Sequence, residues 1–105
     1  MNVKIIPSAG NVLLDFYADW CEPCKWVIPI LAEIEKHFGS KIKIEKVDID
    51  ANPEFAKNLH ILSVPTLILF VNGKEAWRKR GFDAAEVMIR DIEDVFASTS
   101  PASGT

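Results

Sequence analysis

Two cysteines with two residues between them, at the point where an apolar run gives way to a helical pattern, constrain this chain more than any other feature. The stretch reads Trp20-Cys21-Glu22-Pro23-Cys24-Lys25, and the chain has no other cysteine. A bridge between residues this close closes a tiny loop and restricts the unfolded chain little. Two cysteines are also too few for a secreted disulfide framework. The fold must therefore be held by its apolar core, and 105 residues are enough to bury one in a single domain. With 49% hydrophobic and 26% charged residues, the composition is that of a globular domain rather than a disordered chain. The cysteine pair needs a chemical explanation.

The pattern along the chain alternates between strand and helix periods. Val3 to Ile6 reads as a short edge strand ended by Pro7. Val12 to Ala18 is almost continuously apolar, as expected of a strand covered on both faces. From Cys24 onward Val27, Ile28, Leu31, Ile34 and Phe38 recur at helical spacing, with Pro29 inside the helix and Gly39 as its stop. Lys41 to Asp48 reads as a strand. Asn52-Pro53 is a helix start with Asn as cap, and Phe55, Ala56 and Leu59 form that helix's inner face. Thr66 to Val71, the Asn72-Gly73 turn and Lys74 to Lys79 predict a hairpin. Asp83 with Glu86 resembles a capping box before a last helix with Val87, Met88, Ile92, Val95 and Phe96 inward. The expected fold is α/β, with a mixed and mainly parallel sheet that has an antiparallel edge. A domain over 1–97 and a flexible tail over 98–105 are expected, the tail being rich in Ser, Thr, Pro and Gly.

A Cys-x-x-Cys at a strand-to-helix junction has a physical use. The free N–H groups and positive dipole end of a helix N-terminus favour a thiolate. Cys21, at the tip, is expected to be the more exposed and attacking sulfur. Cys24, one turn in and facing inward, is suited to resolve a mixed disulfide. The same motif can be half of a zinc site, but zinc needs four ligands, no second cysteine pair exists, and His37 and His60 are scattered. Asp15 lies in the middle of the apolar strand. Leu13 and Tyr17 share its face, so burial should raise its pKa and suit it to shuttle a proton. Lys46, in the neighbouring predicted strand, can tune it or can be a plain surface lysine. Pro65, between Val64 and Thr66 at the start of a strand, marks an edge, a first position or a cis bond.

The ordered set Asp15 to Lys25, Pro29, Val47-Asp48-Ile49-Asp50, Val64-Pro65-Thr66, Phe70-Val71-Asn72-Gly73 and Gly81 resembles the thioredoxin family over nearly the whole chain. The resemblance implies the thioredoxin fold, a central mixed sheet flanked by helices. It implies a protein disulfide reductase in which Cys21 attacks a substrate disulfide and Cys24 releases it. It further implies that Asp15, with Lys46 nearby, assists deprotonation of Cys24 and that Pro65 is cis against the cysteine pair. The Val64 backbone would pair with the substrate chain. Trp20, Val64, Gly81 and Phe82 would form an apolar docking surface, with core packing the plainer reading of Trp20 and Phe82.

The chain departs from the family pattern in places. Glu22 stands between Cys21 and Pro23 where the family usually has glycine, and its carboxylate should oppose the Cys21 thiolate and alter partner choice. Trp26 follows Lys25 where smaller residues are usual; it either enlarges a contact surface or covers the helix. So few residues precede the first firm strand that the amino-terminal helix is expected to be missing or shortened.

The net charge of −3 gives no basic footprint for nucleic acid or an anionic membrane. Arg78-Lys79-Arg80 reads as a solvated edge that blocks aggregation, and His37 and His60 read as surface residues. The longest uncharged stretch, Ile61 to Gly73, is too short to span a bilayer, and the start lacks the apolar run of a secretory signal. The expectation is a cytoplasmic monomer with no organic cofactor or metal. Its partners are protein disulfides and a disulfide reductase or other dithiol donor. The rival readings are an oxidant or isomerase in an oxidising compartment and a binding module that does not use its cysteines.

Overall fold

Strand β1, Asn11–Tyr17, has its five central residues buried, as its apolar run predicts. In the computed structural model, which describes residues 5–99, β1 occupies the interior of a four-stranded sheet. The order is β2-β1-β3-β4, with β2 at Lys43–Asp48, β3 at Thr66–Val71 and β4 at Lys74–Arg80. Only β1 and β2 run parallel; β1–β3 and β3–β4 are antiparallel. The expectation of a mainly parallel sheet is corrected to one parallel pair out of three, and the connections give the reason. Helix α1, Glu22–Phe38, is 17 residues long and returns the chain to the start of the sheet, so β2 lies parallel to β1. Helix α2, Pro53–Asn58, has six residues and rises only about 9 Å. A six-residue strand needs about 20 Å. The short helix does not carry the chain back along the sheet, and β3 starts from the end where β2 stopped.

The sheet has a core on each face. Leu13 on one face packs with Val27, Leu31 and Ile34 of α1 and with Met88 and Ile92 of α3, Ala85–Thr99. Val12, Leu14 and Phe16 on the other pack with Ile68, Phe70, Phe55 of α2 and Leu59 just after it. The rings of Phe16 and Phe55 lie 5.9 Å apart. The inward stripe of α1 is Cys24, Val27, Leu31, Ile34 and Phe38. Ile28, expected inward, falls to one side of that stripe and is exposed. Pro29 is accommodated inside the helix, and Gly39 ends it at positive φ with its N–H bonded to Glu35 O.

Several local expectations are revised. Val3 and Lys4 of the expected first strand lie outside the described residues, and Ile5 and Ile6 are not in a strand. Among the described residues no helix precedes β1. Asn52 precedes α2 but does not cap it with its side chain; its Nδ2 donates to Asp48 O at 3.0 Å. Asp83 makes an ion pair with Lys79 at 3.0 Å. In α3 Ile89, not Val87, joins Val95 and Phe96 against the core. Ser98 and Thr99 belong to α3, so the predicted tail does not begin at Ser98; residues 100–105 lie outside the described residues.

The basic run in β4 is less free than its sequence suggests. The register shifts between Leu69/Trp77 and Phe70/Glu75, which places an extra residue, Ala76, in β4. In a regular strand Glu75 and Arg78, three positions apart, would point to opposite faces. With the extra residue they share a face, and Arg78 Nε and Nη2 donate to the Glu75 carboxylate at 2.7 and 2.8 Å. Arg78 and Lys79 are thus engaged rather than free, and Trp77 on the opposite face packs on the α1–α3 core.

The β3–β4 turn is tied back to the start of β1. Asn72 (φ 50°) and Gly73 (φ 88°) both adopt left-handed backbone, as a two-residue hairpin of this kind requires. Asn72 N–H donates to Gly10 O, and Asn72 Oδ1 accepts from Gly10 N–H, each at 2.9 Å. Asn72→Ala removes the side-chain bond and places a less tolerant residue at positive φ. Thermal unfolding should show a loss of about 1 kcal/mol and a Tm lower by several degrees. An unchanged Tm would refute a structural role for this latch.

Candidate active site

Cys21 is the N-cap of α1. Its extended backbone (φ −91°, ψ 108°) leaves its sulfur over the first turn, and Cys21 Sγ accepts the backbone N–H of Cys24 at 3.3 Å. Pro23 lies in the first helical turn, where its missing donor leaves no intrahelical bond unmade. Cys24 begins the buried stripe of the helix. The two sulfurs are joined as a disulfide, with the Cα atoms 5.4 Å apart. In the reduced protein the N–H and dipole that meet Cys21 Sγ would stabilise a thiolate there.

The expectation that Cys21 is the more exposed cysteine is not met, since each is 5% exposed. The turn before the helix explains this. Cys21 N–H bonds to Ala18 O at 3.1 Å, which folds the cap residue onto Ala18. Tyr17, Ile49 and Val64 pack around the same cluster. The asymmetry between the sulfurs is therefore electrostatic: Cys21 carries the helix N–H, and Cys24 lies on the inward stripe.

The Val64–Pro65 peptide is cis, and Val64 packs on the cysteine pair. Pro65 O accepts the N–H of Gly81, whose φ is 83°, at 2.7 Å, and Thr66 Oγ1 donates to Ser63 O at 2.8 Å. These bonds hold the proline loop to the end of β4. Phe82 follows Gly81, packs partly on the α1–α3 core, and meets Trp26 edge-on with ring centroids 6.2 Å apart. Trp20 is 69% exposed, with Nε1 donating to Asp50 Oδ2 at 2.9 Å. Core packing is thus excluded for Trp20 and partly true of Phe82. Glu22 is exposed and accepts from Lys25 Nζ at 3.3 Å, so a lysine one turn on offsets part of its charge.

Asp15 lies on the sheet face that α1 covers, since side chains alternate and Leu13 packs against α1. It is 1% exposed, and among the described residues neither carboxylate oxygen has a hydrogen-bond partner. Burial pushes its pKa up to about 6, with the Lys46 charge acting in the opposite direction. Lys46 pairs with Asp15 in the β1–β2 register, yet its ammonium lies over the Tyr17 ring, 4.6 Å from the centroid. Burial and the carboxylates of Asp48, Asp19 and Asp15 raise the Tyr17 pKa, which keeps the phenol neutral.

Other sequence candidates lie elsewhere. His37 is paired with Glu93 at 2.7 Å between α1 and α3. His60, at positive φ, accepts from Arg78 through its carbonyl. Among the described residues no cluster of His, Cys, Asp and Glu is placed to hold a metal ion, and no helix is long and apolar enough to cross a membrane. Trp26 is among the residues that sequence reasoning left undecided. Its position beside Val27, one step off the buried stripe, was the available signal, and it is 57% exposed.

Comparison with known proteins is consistent along the chain. The Thioredoxin family model matches residues 2–94. A thioredoxin of Mycobacterium tuberculosis is 41% identical over 91 residues, covering 87% of this chain and 78% of that protein. A bifunctional thioredoxin reductase/thioredoxin of Mycobacterium leprae is 40% identical over 87% of this chain and 20% of its own length. A solved structure, described as that of a malarial protein, superposes with a TM-score of 0.76 at 30% identity. It covers 81% of this chain and 96% of that one.

The buried carboxyl has a measurable consequence. Its folded pKa of about 6 lies above the ordinary 3.8, so the folded state holds the proton more tightly than the unfolded state. Stability is then undiminished below pH 4, falls as pH rises through 6, and is lower by about 3 kcal/mol above that. In oxidised Asp15→Asn, urea unfolding should show the variant gaining on wild type by about that amount between pH 4 and pH 8. A difference that does not change with pH would show that the carboxyl titrates normally.

Proposed function

This chain belongs to the thioredoxin family and is a protein-disulfide reductase, and we propose that its residues divide the exchange as follows. The Cys21 thiolate, held by the helix N-terminus, attacks one sulfur of a partner's disulfide. A Cys21–partner disulfide forms and the partner's other sulfur leaves as a thiolate. Asp15, ionised above about pH 6, takes the proton of Cys24. The Cys24 thiolate attacks Cys21 Sγ, the mixed disulfide breaks, and the second partner sulfur is released. Two electrons have passed to the partner, and the Cys21–Cys24 bridge described above is the product. Burial raises the pKa of Asp15, and Lys46, from a distance, holds part of that rise back. Glu22 weakens the pull of the helix N-terminus on the Cys21 thiolate, and Lys25 moderates that effect.

The observation that carries this reading is the cap itself. The attacking sulfur is the group to which the first turn of α1 donates its N–H, and its bonding partner is the next cysteine on the helix. Trp20, Val64, Pro65, Gly81 and Phe82 form the docking surface, with the Val64 backbone pairing to the incoming chain. The electron donor is a thioredoxin reductase, a reading supported by the Mycobacterium leprae relative whose name joins the two activities. The work is done by a monomer in the reducing cytoplasm, and sulfur alone carries the electrons, without organic cofactor or metal.

Reduced protein should cleave insulin disulfides, followed by turbidity as the chains separate. Cys21→Ser should be inert, and Cys24→Ser should stall as a covalent complex that runs as one band without reductant and as two with it. If Cys21→Ser keeps activity, or if Cys24→Ser traps nothing while Cys21→Ser does, the assigned roles are wrong.

A further inference from the structure

Large apolar side chains are exposed next to the cysteine pair. Among the described residues, apart from Ile5 and Ile6 at the amino end, the exposed ones are Trp20, Trp26, Leu62 and Ile28, the last lying on the other flank of α1 beside Ile44 and Lys46. Trp20 precedes the first cysteine, Trp26 follows the second by two residues, and Leu62 lies two residues before Val64. Grouped exposed apolar surface marks a contact with another molecule. Trp26 is the least explained of them. It lies four residues after Glu22, so the two are neighbours on one face of α1, about one turn apart. Across from it stands Phe82, edge-on to the indole. Phe82 is tied to the site through Gly81, whose N–H is bonded to the carbonyl of the cis proline. The cysteine pair, the proline loop, the end of β4 and the second turn of α1 thus join around one rim. Trp20, next to Cys21 in the chain, is anchored to Asp50.

We propose that Trp26, backed by Phe82, is a specificity-determining residue that receives a bulky apolar side chain of the partner polypeptide, two residues from the cysteine under attack. This rests on the reductase reading above and adds a substrate class to it: protein disulfides flanked by large apolar residues. One helical turn is about 5.4 Å and an extended chain advances about 3.3 Å per residue. A substrate held by its sulfur at Cys21 therefore reaches the indole at its second neighbour, not its first. The occupant is a polypeptide because the rim is continuous with the sulfurs where its disulfide must lie. Glutathione disulfide carries no bulky apolar side chain to fill it. A tryptophan half-covered by its own fold and half-free loses little freedom on binding and offers a large apolar face.

The test uses two peptides, each holding its single cysteine as a mixed disulfide with glutathione, with Phe or Ser two residues from the cysteine on both sides. Wild type should favour the Phe peptide by roughly tenfold in kcat/KM, carried by KM. Trp26→Ala should shrink that preference to within about twofold, and Trp26→Phe should keep most of it. The Cys21–Cys24 reduction potential of Trp26→Ala should match that of wild type, which separates docking from a disturbed active site. Equal use of both peptides by wild type, or an undiminished preference in Trp26→Ala, would overturn the docking role and leave the reductase reading intact. Failure of wild type to reduce either peptide or insulin would overturn the reductase reading and the docking role with it.

Discussion

A single backbone N–H organises this protein. In the first turn of a helix the amide groups lack intrahelical partners, and here the amide of Cys24 finds one in the sulfur of Cys21. That contact requires a chain that leaves β1, turns through Ala18–Cys21 and begins α1 within one residue. It requires in turn that β1 be interior and α1 be packed across it, so that neither the strand end nor the helix tip drifts. The apolar strand, the long amphipathic helix and the two-sided core position one donor beside one sulfur. Cys24 is placed by the same helix on its buried stripe, so the geometry that favours charge on one sulfur also shelters the other.

The elements whose residues declare their own period were legible. The apolar β1, the Thr66–Val71 strand, the Asn72-Gly73 turn and the stripe of α1 all follow from spacing and turn chemistry. What sequence did not disclose depends on distant parts of the chain. The antiparallel entry of β3 goes with a β2–β3 connection whose short helix does not run back along the sheet. The Ala76 bulge decides which face Glu75 takes, and with it whether Arg78 is free or paired. Asn52 has the residue type of a cap, yet its amide is drawn to the Asp48 carbonyl. In each case a local preference met a longer-range partner and gave way.

The candidate site shows the same division. Asp15 was visible as a carboxyl in an apolar strand, and burial needs only that strand to be interior. Trp20 could not be assigned to core or surface from its type, because an indole serves in both; its bond to Asp50 depends on how the turn after β2 lies against the turn after β1. The expected exposure of Cys21 failed for a related reason. Helix position alone places a cap residue at the tip, but Val64 and Ile49 come from elsewhere to cover it. Chemical character was readable from type and spacing, and accessibility was not.

Asp15 and Lys46 show why proximity in a sheet is not the same as pairing. They are register partners on adjacent parallel strands. A direct ion pair would hold the carboxyl ionised and well below the pH at which cells operate. Instead the ammonium of Lys46 rests over Tyr17, where the ring face attracts it. Its charge still lowers the Asp15 pKa, but burial outweighs it and leaves the carboxyl near 6. A group held there is mostly ionised at neutral pH yet binds a proton far more readily than an ordinary aspartate. That is the condition for taking a proton from a thiol and giving it up again, and it exists because the lysine is kept close without being allowed to bind.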